Sequence, residues 1–226
     1  STPKPSSAAS DVYKRQLSLA AGTLSIGTSL VVRTHIETCV QCQQRLGLFE
    51  AVGGVTLEDL PPASLSAQSL ARTLATIDRP ASSHPTPASR TFDRGDRPSL
   101  PAGMAWPRAL EACTSTPWRF LAPGMRWSRL RLPAHPDAKL FLLRIGSGRS
   151  LPFHTHKGTE LTQVLHGAFA DGREVFGAGD FDAADQSIHH CPTVANGADC
   201  ICFAAVEGKM QFDSPIARAM ASLIGM

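Results

Sequence analysis

The sequence is poor in aromatic and charged residues. Only 6% of its 226 residues are aromatic, with Tyr13 the single tyrosine, and 18% are charged. It has no run of like charges and no basic stripe interleaved with aromatics. The net charge of +3 is therefore scattered, and direct nucleic-acid binding is not indicated. No apolar run is long enough to span a bilayer. The best candidate, Leu17 to Val32, follows Lys14 and Arg15 as a secretion signal would. It is interrupted by Gly22, Thr23, Ser25, Gly27, Thr28 and Ser29, and no small-x-small cleavage site precedes Arg33. Cysteines occur only at 39, 42, 113, 191, 200 and 202, too few and too uneven for a disulfide-stapled secreted domain. These absences place the protein in the cytoplasm, away from membranes, where thiolates stay reduced and open to a metal.

What is present divides into differently patterned halves. Residues 1–16, rich in Ser, Ala, Pro and Lys and without apolar period, read as a disordered tail, and the change of character at Leu17 marks them as a stand-in for the natural start. From Leu17 to Asp78 the spacing is helical, with breaks expected at Gly22, at Gly47 or Gly53-Gly54, and at Pro61-Pro62. Residues 79–102 mix Pro, Ser, Arg and Gly and read as a linker. From 103 to 226 short apolar or alternating runs, at 118–121, 125–132, 139–145, 160–165, 168–169 and 200–206, predict an antiparallel sandwich or barrel with a final helix over 215–223.

Each half carries a metal-ligand pattern of its own. In His35-x3-Cys39-x2-Cys42 the ligands are four and three apart, which on one helix sets them on consecutive turns of one face. Nitrogen and sulfur donors of this kind suit structural zinc, whose tetrahedral shell takes four ligands. In the second half, His154 and His156 are two apart, so a strand turns both inward. Glu160 is expected to return to the same cavity after a turn at Lys157-Gly158. Imidazoles plus a carboxylate suit zinc, iron, manganese or nickel. His166 reads as an ordinary strand residue and the Cys200-x-Cys202 pair as core cysteine.

The run from Gly148 through His154, His156 and Glu160 to Gly167 resembles the first cupin motif in every fixed position. In the second cupin motif Gly179-Asp180 resembles the turn before the strand. His190, in His190-Cys191-Pro192, is then the fourth ligand, ahead of His189. The segment 17–78 is similar to the zinc-binding anti-sigma domain, whose hallmark is His-x3-Cys-x2-Cys. With LSLAAGTL, EAVGGVTLEDLPP, PWRFLAPGMRW and the cupin run in this order, the chain resembles the ChrR-type anti-sigma factors.

That resemblance implies an α+β multidomain fold, a small helical zinc-binding bundle followed by a cupin β-sandwich or barrel. It implies a non-enzymatic regulator that holds an extracytoplasmic-function-type sigma factor, one-to-one, and releases it under singlet-oxygen or organic-hydroperoxide stress sensed through the cupin. The implied cofactors are zinc at His35, Cys39 and Cys42, and zinc or another divalent metal at His154, His156, Glu160 and His190. One departure stands out. The family supplies a fourth zinc ligand as a histidine on the first helix, whereas this chain has none before His35. The alternative reading is a metal-dependent cupin dioxygenase with a helical appendage, since one fold hosts many activities.

Overall fold

The structure is a computed structural model and describes residues 7–78 and 97–224. Four helices come first: α1 (Ser7–Ala20), α2 (Ile26–Ile36), α3 (Val40–Glu58) and α4 (Ser69–Ile77). The tail expected over 1–16 is corrected from Ser7 onward, because those residues form most of α1. Ala, Lys, Arg and Gln are good helix formers. Val12, Gln16 and Leu19, spaced i, i+4 and i+7, make one buried face. With a glutamine at the centre of that face, its apolar period does not show in the sequence. Residues 1–6, and the expected linker from 79 to 96, lie outside the described residues.

The chain turns at Gly22, with φ of 68°, as the spacing predicts. Ser25 then caps α2 by accepting a hydrogen bond from the Thr28 amide at 3.3 Å. Gly47, Gly53 and Gly54 do not break α3, which continues to Glu58. A helical glycine costs about 1 kcal/mol, less than is needed to interrupt a long helix. The proline pair at 61–62 follows its end.

After a 3₁₀ turn at Arg108–Leu110 the chain is antiparallel. The strands are β1 (Thr114–Ser115), β2 (Arg119–Ala122), β3 (Met125–Leu132), β4 (His135–Ile145), β5 (His154–His166), β6 (Ala168–Ala170), β7 (Val175–Gly177), β8 (Phe181–Ala184), β9 (Thr193–Val194) and β10 (Cys200–Phe212). Helix α5 (Pro215–Ile224) follows. One sheet runs β1-β3-β4-β10-β5-β8 with β2 paired to β3, and a second runs β7-β6-β9. No described helix is long and apolar enough to cross a membrane.

The long strands β5 and β10 pair from His154↔Phe212 to His166↔Ile201 and organise the molecule. Successive residues of a strand face opposite ways. Leu161, Phe203 and Ala205 therefore face outward, where α2 lies across the sheet and shares a core with them through Leu30 and Val31. The approach is close at Gly27: a Cβ there would sit 3.5 Å from both Ala205 and Leu140. Each fully buried Leu, Val or Phe contributes about 1.5–3 kcal/mol, so this shared core fastens the helices to the sheet. The opposite residues, Val164, Cys200 and Cys202, pack between the two sheets with Phe169 and Phe176.

Candidate metal centres

The thiol pattern straddles a helix junction instead of lying on one helix. His35 occupies the last turn of α2. Cys39 caps α3 with extended backbone, φ −101° and ψ 102°, and Cys42 lies in the first turn of α3. The ligand atoms nonetheless come within 4.8 Å of one another. The turn at Glu37 and Thr38, where the Thr38 and Cys39 amides both donate to the His35 carbonyl, brings them together.

The His35 ring is oriented from the sheet. Its Nδ1 faces two oxygens, the Gly179 carbonyl at 3.0 Å and Gln163 Oε1 at 3.2 Å. Both are acceptors, so Nδ1 carries the proton and the Nε2 lone pair points to Cys42 Sγ at 3.2 Å. Burial holds the His35 pKa below its ordinary value. Burial, with Cys39 alongside, pushes the Cys42 thiol up to about 11. One imidazole lone pair and two thiols form a nitrogen–sulfur donor set that a soft or borderline divalent ion would deprotonate and hold. Sequence reading missed Gln16 of α1. Its side chain lies beside Cys42, fully buried, and neither amide atom has a hydrogen bond of ordinary geometry.

The second centre lies on the inner face of β5. His154 and His156 share parity on the strand, and His190 is joined to His154 by an isolated bridge with N–O distances of 3.0 and 3.1 Å. Their Nε2 atoms converge: His190 lies 3.1 Å from His154 and 3.3 Å from His156. His154 Nδ1 donates to the Pro152 carbonyl at 2.8 Å, and His190 Nδ1 faces Asp171 Oδ2 at 3.5 Å. Those outer partners fix protons on Nδ1 and leave lone pairs meeting in one place, which protein hydrogen bonds alone cannot satisfy.

Glu160 lies outside the 4.8 Å envelope of the three imidazoles. Its Oε2 is 3.4 Å from His156 Nδ1, yet both atoms are buried without a hydrogen bond. Such orphaned atoms beside converging lone pairs fit a cation site. The expected turn at Lys157-Gly158 is not there, because β5 continues through both residues. Residues four apart on an extended strand lie about 13 Å apart. Gly158, with φ of 127°, lies between them, and the two side chains nonetheless meet. Its own packing requires glycine, since a Cβ would meet the Glu207 carbonyl oxygen at 2.1 Å.

Burial and the neighbouring His154 bring His190 down to about 4, and burial lowers His156 against the opposing pull of Glu160. For His156 and His190 both shifts favour the neutral imidazole, the form that ligates a metal. Behind the cluster stands a buried network that the sequence reading missed. Arg173 bridges Asp171 and Asp182, the latter at 2.8 Å. Burial pushes Asp182 up to about 7 against the guanidinium. For Asp171 burial also pulls upward, but the Glu174 and Arg173 amides and the Arg173 side chain win and hold it low. An acidic residue inside the short apolar run Phe181–Ala184 was the available signal. A cavity of about 30 Å³ adjoins the cluster, lined by Glu160, Asp182, Cys200 and Cys202 among others.

With the sites in place, the chain was compared with known proteins. Residues 107–210 match the family model described as the ChrR cupin-like domain. The anti-sigma-E factor ChrR of Cereibacter sphaeroides is 43% identical over 197 residues, covering 86% of this chain and 87% of that protein. The chain belongs to the ChrR family of anti-sigma factors. Its fold has the matching architecture, with N-terminal helices followed by an antiparallel cupin-like sheet. The crystal structure of Rhodobacter sphaeroides SigE in complex with the anti-sigma ChrR matches with 38% identity and a TM-score of 0.64, covering 86% of this chain and 96% of that chain.

Proposed function

We propose that this protein sequesters an extracytoplasmic-function-type sigma factor, one-to-one and in the cytoplasm, through a helical domain over 17–78. In this reading it releases that partner on oxidative stress, singlet oxygen or organic hydroperoxide, sensed through the cupin domain over 103–226. The observation that carries partner binding is the surface of α3 and α4. Leu48, Val52 and Val55 on α3, and Leu70, Leu74 and Ile77 on α4, repeat at helical spacing and are 50–72% exposed. Helix α4 buries none of its residues. Apolar stripes of this kind are anchors for another protein's groove or helices. In the matched crystal structure a ChrR protein holds SigE, and family membership extends that class of partner to this chain.

The proposed ligands are His35, Cys39 and Cys42 for zinc, and His154, His156, Glu160 and His190 for zinc or another divalent metal. A bound ion supplies the positive charge that keeps thiolates, imidazoles and carboxylate together. The residues do the rest. His35 and the two cysteines join α2 to the start of α3 and so set the direction in which the apolar stripes emerge. His154, His156 and Glu160 hold one end of β5, whose other face carries α2. Oxidant damage to the cupin ligands, or to the adjacent thiols Cys191, Cys200 and Cys202, would shift β5 and with it the helices. The 30 Å³ cavity is far below the roughly 300–1,000 Å³ of an organic-substrate pocket. Its size, with the family, favours a regulator over a dioxygenase.

Co-purification with the cognate sigma factor tests the reading. Wild type should hold it in a stable complex. Cys39→Ser/Cys42→Ser should lose metal and partner together, and Leu70→Asp/Leu74→Asp should lose the partner while keeping the metal. His154→Ala/His156→Ala should still bind but no longer release on hydroperoxide treatment. No wild-type complex would end the anti-sigma reading.

A further inference from the structure

The two candidate centres meet on one strand. Gln163 lies three residues beyond Glu160 on β5 and is 2% exposed. Being odd in the alternation, it faces α2 while the cupin ligands face the opposite way. Its Nε2 donates to the Val164 carbonyl at 3.1 Å, which fixes the amide so that Oε1 meets His35 Nδ1. The second acceptor of His35, the Gly179 carbonyl, belongs to the turn before β8. That turn is stitched to the same point of β5: the Gly179 amide donates to Val164 O and the Val164 amide to Asp180 O, both at 2.9 Å. Strand β8 continues into Asp182, which Arg173 and Asp171 connect to His190. Both hydrogen bonds that orient the only imidazole of the thiol centre thus come from the segments that carry or support the cupin ligands.

The geometry points to Gln163 as a positioning residue that couples the centres, so that the integrity of the cupin cluster sets how firmly the His35–Cys39–Cys42 centre retains its metal. With Nδ1–H held by Gln163 and Gly179, His35 presents its lone pair to the metal position without having to reorient. If β5 moves at His156 or Glu160, Gln163 moves with it, the ring is freed to turn, and metal escapes. This inference rests on the reading that the thiol centre binds metal.

The full-length chain loaded with cobalt(II) provides the test. Its thiolate-to-cobalt absorption, checked by disappearance in Cys39→Ser/Cys42→Ser, reports the thiol centre alone. The rate at which excess chelator removes that absorption is then measured in five proteins. Gln163→Leu should release cobalt about tenfold faster than wild type, the usual scale for loss of a partner to a ligating histidine. Gln163→Glu, which keeps an acceptor against His35, should stay near the wild-type rate. His156→Ala should speed release in the wild-type background but not in Gln163→Leu, because the link is already cut there. Equal acceleration by His156→Ala in both backgrounds, or equally fast release from the Leu and Glu variants, would overturn the coupling. So would a wild-type rate for Gln163→Leu. Absence of the thiolate absorption from wild type would instead sink the metal reading itself, and the coupling with it.

Discussion

Replacing Gln16 by leucine should stabilise the metal-free protein. Gln16 is fully buried on the inner face of α1, between Val12 and Leu19, and neither amide atom has a hydrogen bond of ordinary geometry, its one polar neighbour being the weakly accepting Cys42 sulfur. A buried polar group left unsatisfied costs about 1–3 kcal/mol. Leucine has equal helix propensity and only slightly more volume, so the exchange removes that cost with modest repacking. The expected gain is about 2 kcal/mol, which for a chain of this size raises the melting temperature by roughly 4–8 °C. Thermal unfolding of the metal-free protein by circular dichroism measures it, and a parallel metal assay checks that the thiol centre is unaffected. The opposite result would be equally informative. If Gln16→Leu lowers the melting temperature only in the metal-loaded protein, then the side chain beside Cys42 is a ligand or a ligand's partner, and the description of it as an orphan in the core is wrong.

Three further outcomes follow from packing and ionisation. Gly208 faces Gly158 across the β5–β10 pair and has φ of 89°, and a Cβ there would approach the Lys157 carbonyl oxygen to 1.7 Å. Gly208→Ala should cost about 3 kcal/mol or more in urea unfolding, whereas Gly172→Ala, with φ of 88° but open space around it, should cost about 1 kcal/mol. Acidification of the metal-free protein between about pH 6.5 and pH 4 should remove the contribution of His190, which falls from 6.5 to about 4 on folding, while Asp182, raised to about 7, works in the opposite direction. In that window the unfolded chain binds at His190 a proton that the folded chain refuses, so stability present above it is lost on the way down. The His190 share is about 2 kcal/mol after allowing for solvent screening, read as the difference between the melting-temperature profiles of wild type and His190→Gln against pH, and a difference that does not change with pH would contradict it. Alkylation of the native metal-free protein, followed by mass spectrometry, should label half-buried Cys191 and Cys39 well before buried Cys113, Cys200 and Cys202, and metal should then protect Cys39 but not Cys191.

The strands and the shared face of His154 and His156 were legible because strand alternation is a local property. Met125–Leu132 announces itself by period and residues 200–206 by an unbroken apolar run, the first half of a strand that continues to Phe212, and His154 with His156 needs only strand parity to share a face. Helix α1 was hidden because Gln16 occupies the middle of its apolar stripe. The break between His35 and Cys39 was hidden because nothing in Ile36-Glu37-Thr38 forbids a helix, and the junction is set by packing of α2 on the sheet. Glu37 marks that packing, accepting hydrogen bonds from the backbone amides of Arg108 and Ala109 more than seventy residues away. The Asp171–Arg173–Asp182 network and the Gln163–His35 contact likewise join segments separated along the chain. Single-sequence periodicity carries no information about such pairs, whereas the order of motifs was enough to reach the family.

The uncovered leucine and valine stripes of α3 and α4 also bear on how many copies a cell can keep. Surfaces of this kind associate with one another when nothing else occupies them, and exposed apolar helices are what quality-control proteases and chaperones recognise. Copies made in excess of their partner would be lost to aggregation or degradation, so the supply of free protein should be self-limiting. The ratio in which the two polypeptides are synthesised, more than the affinity between them, would then decide how much partner stays silent.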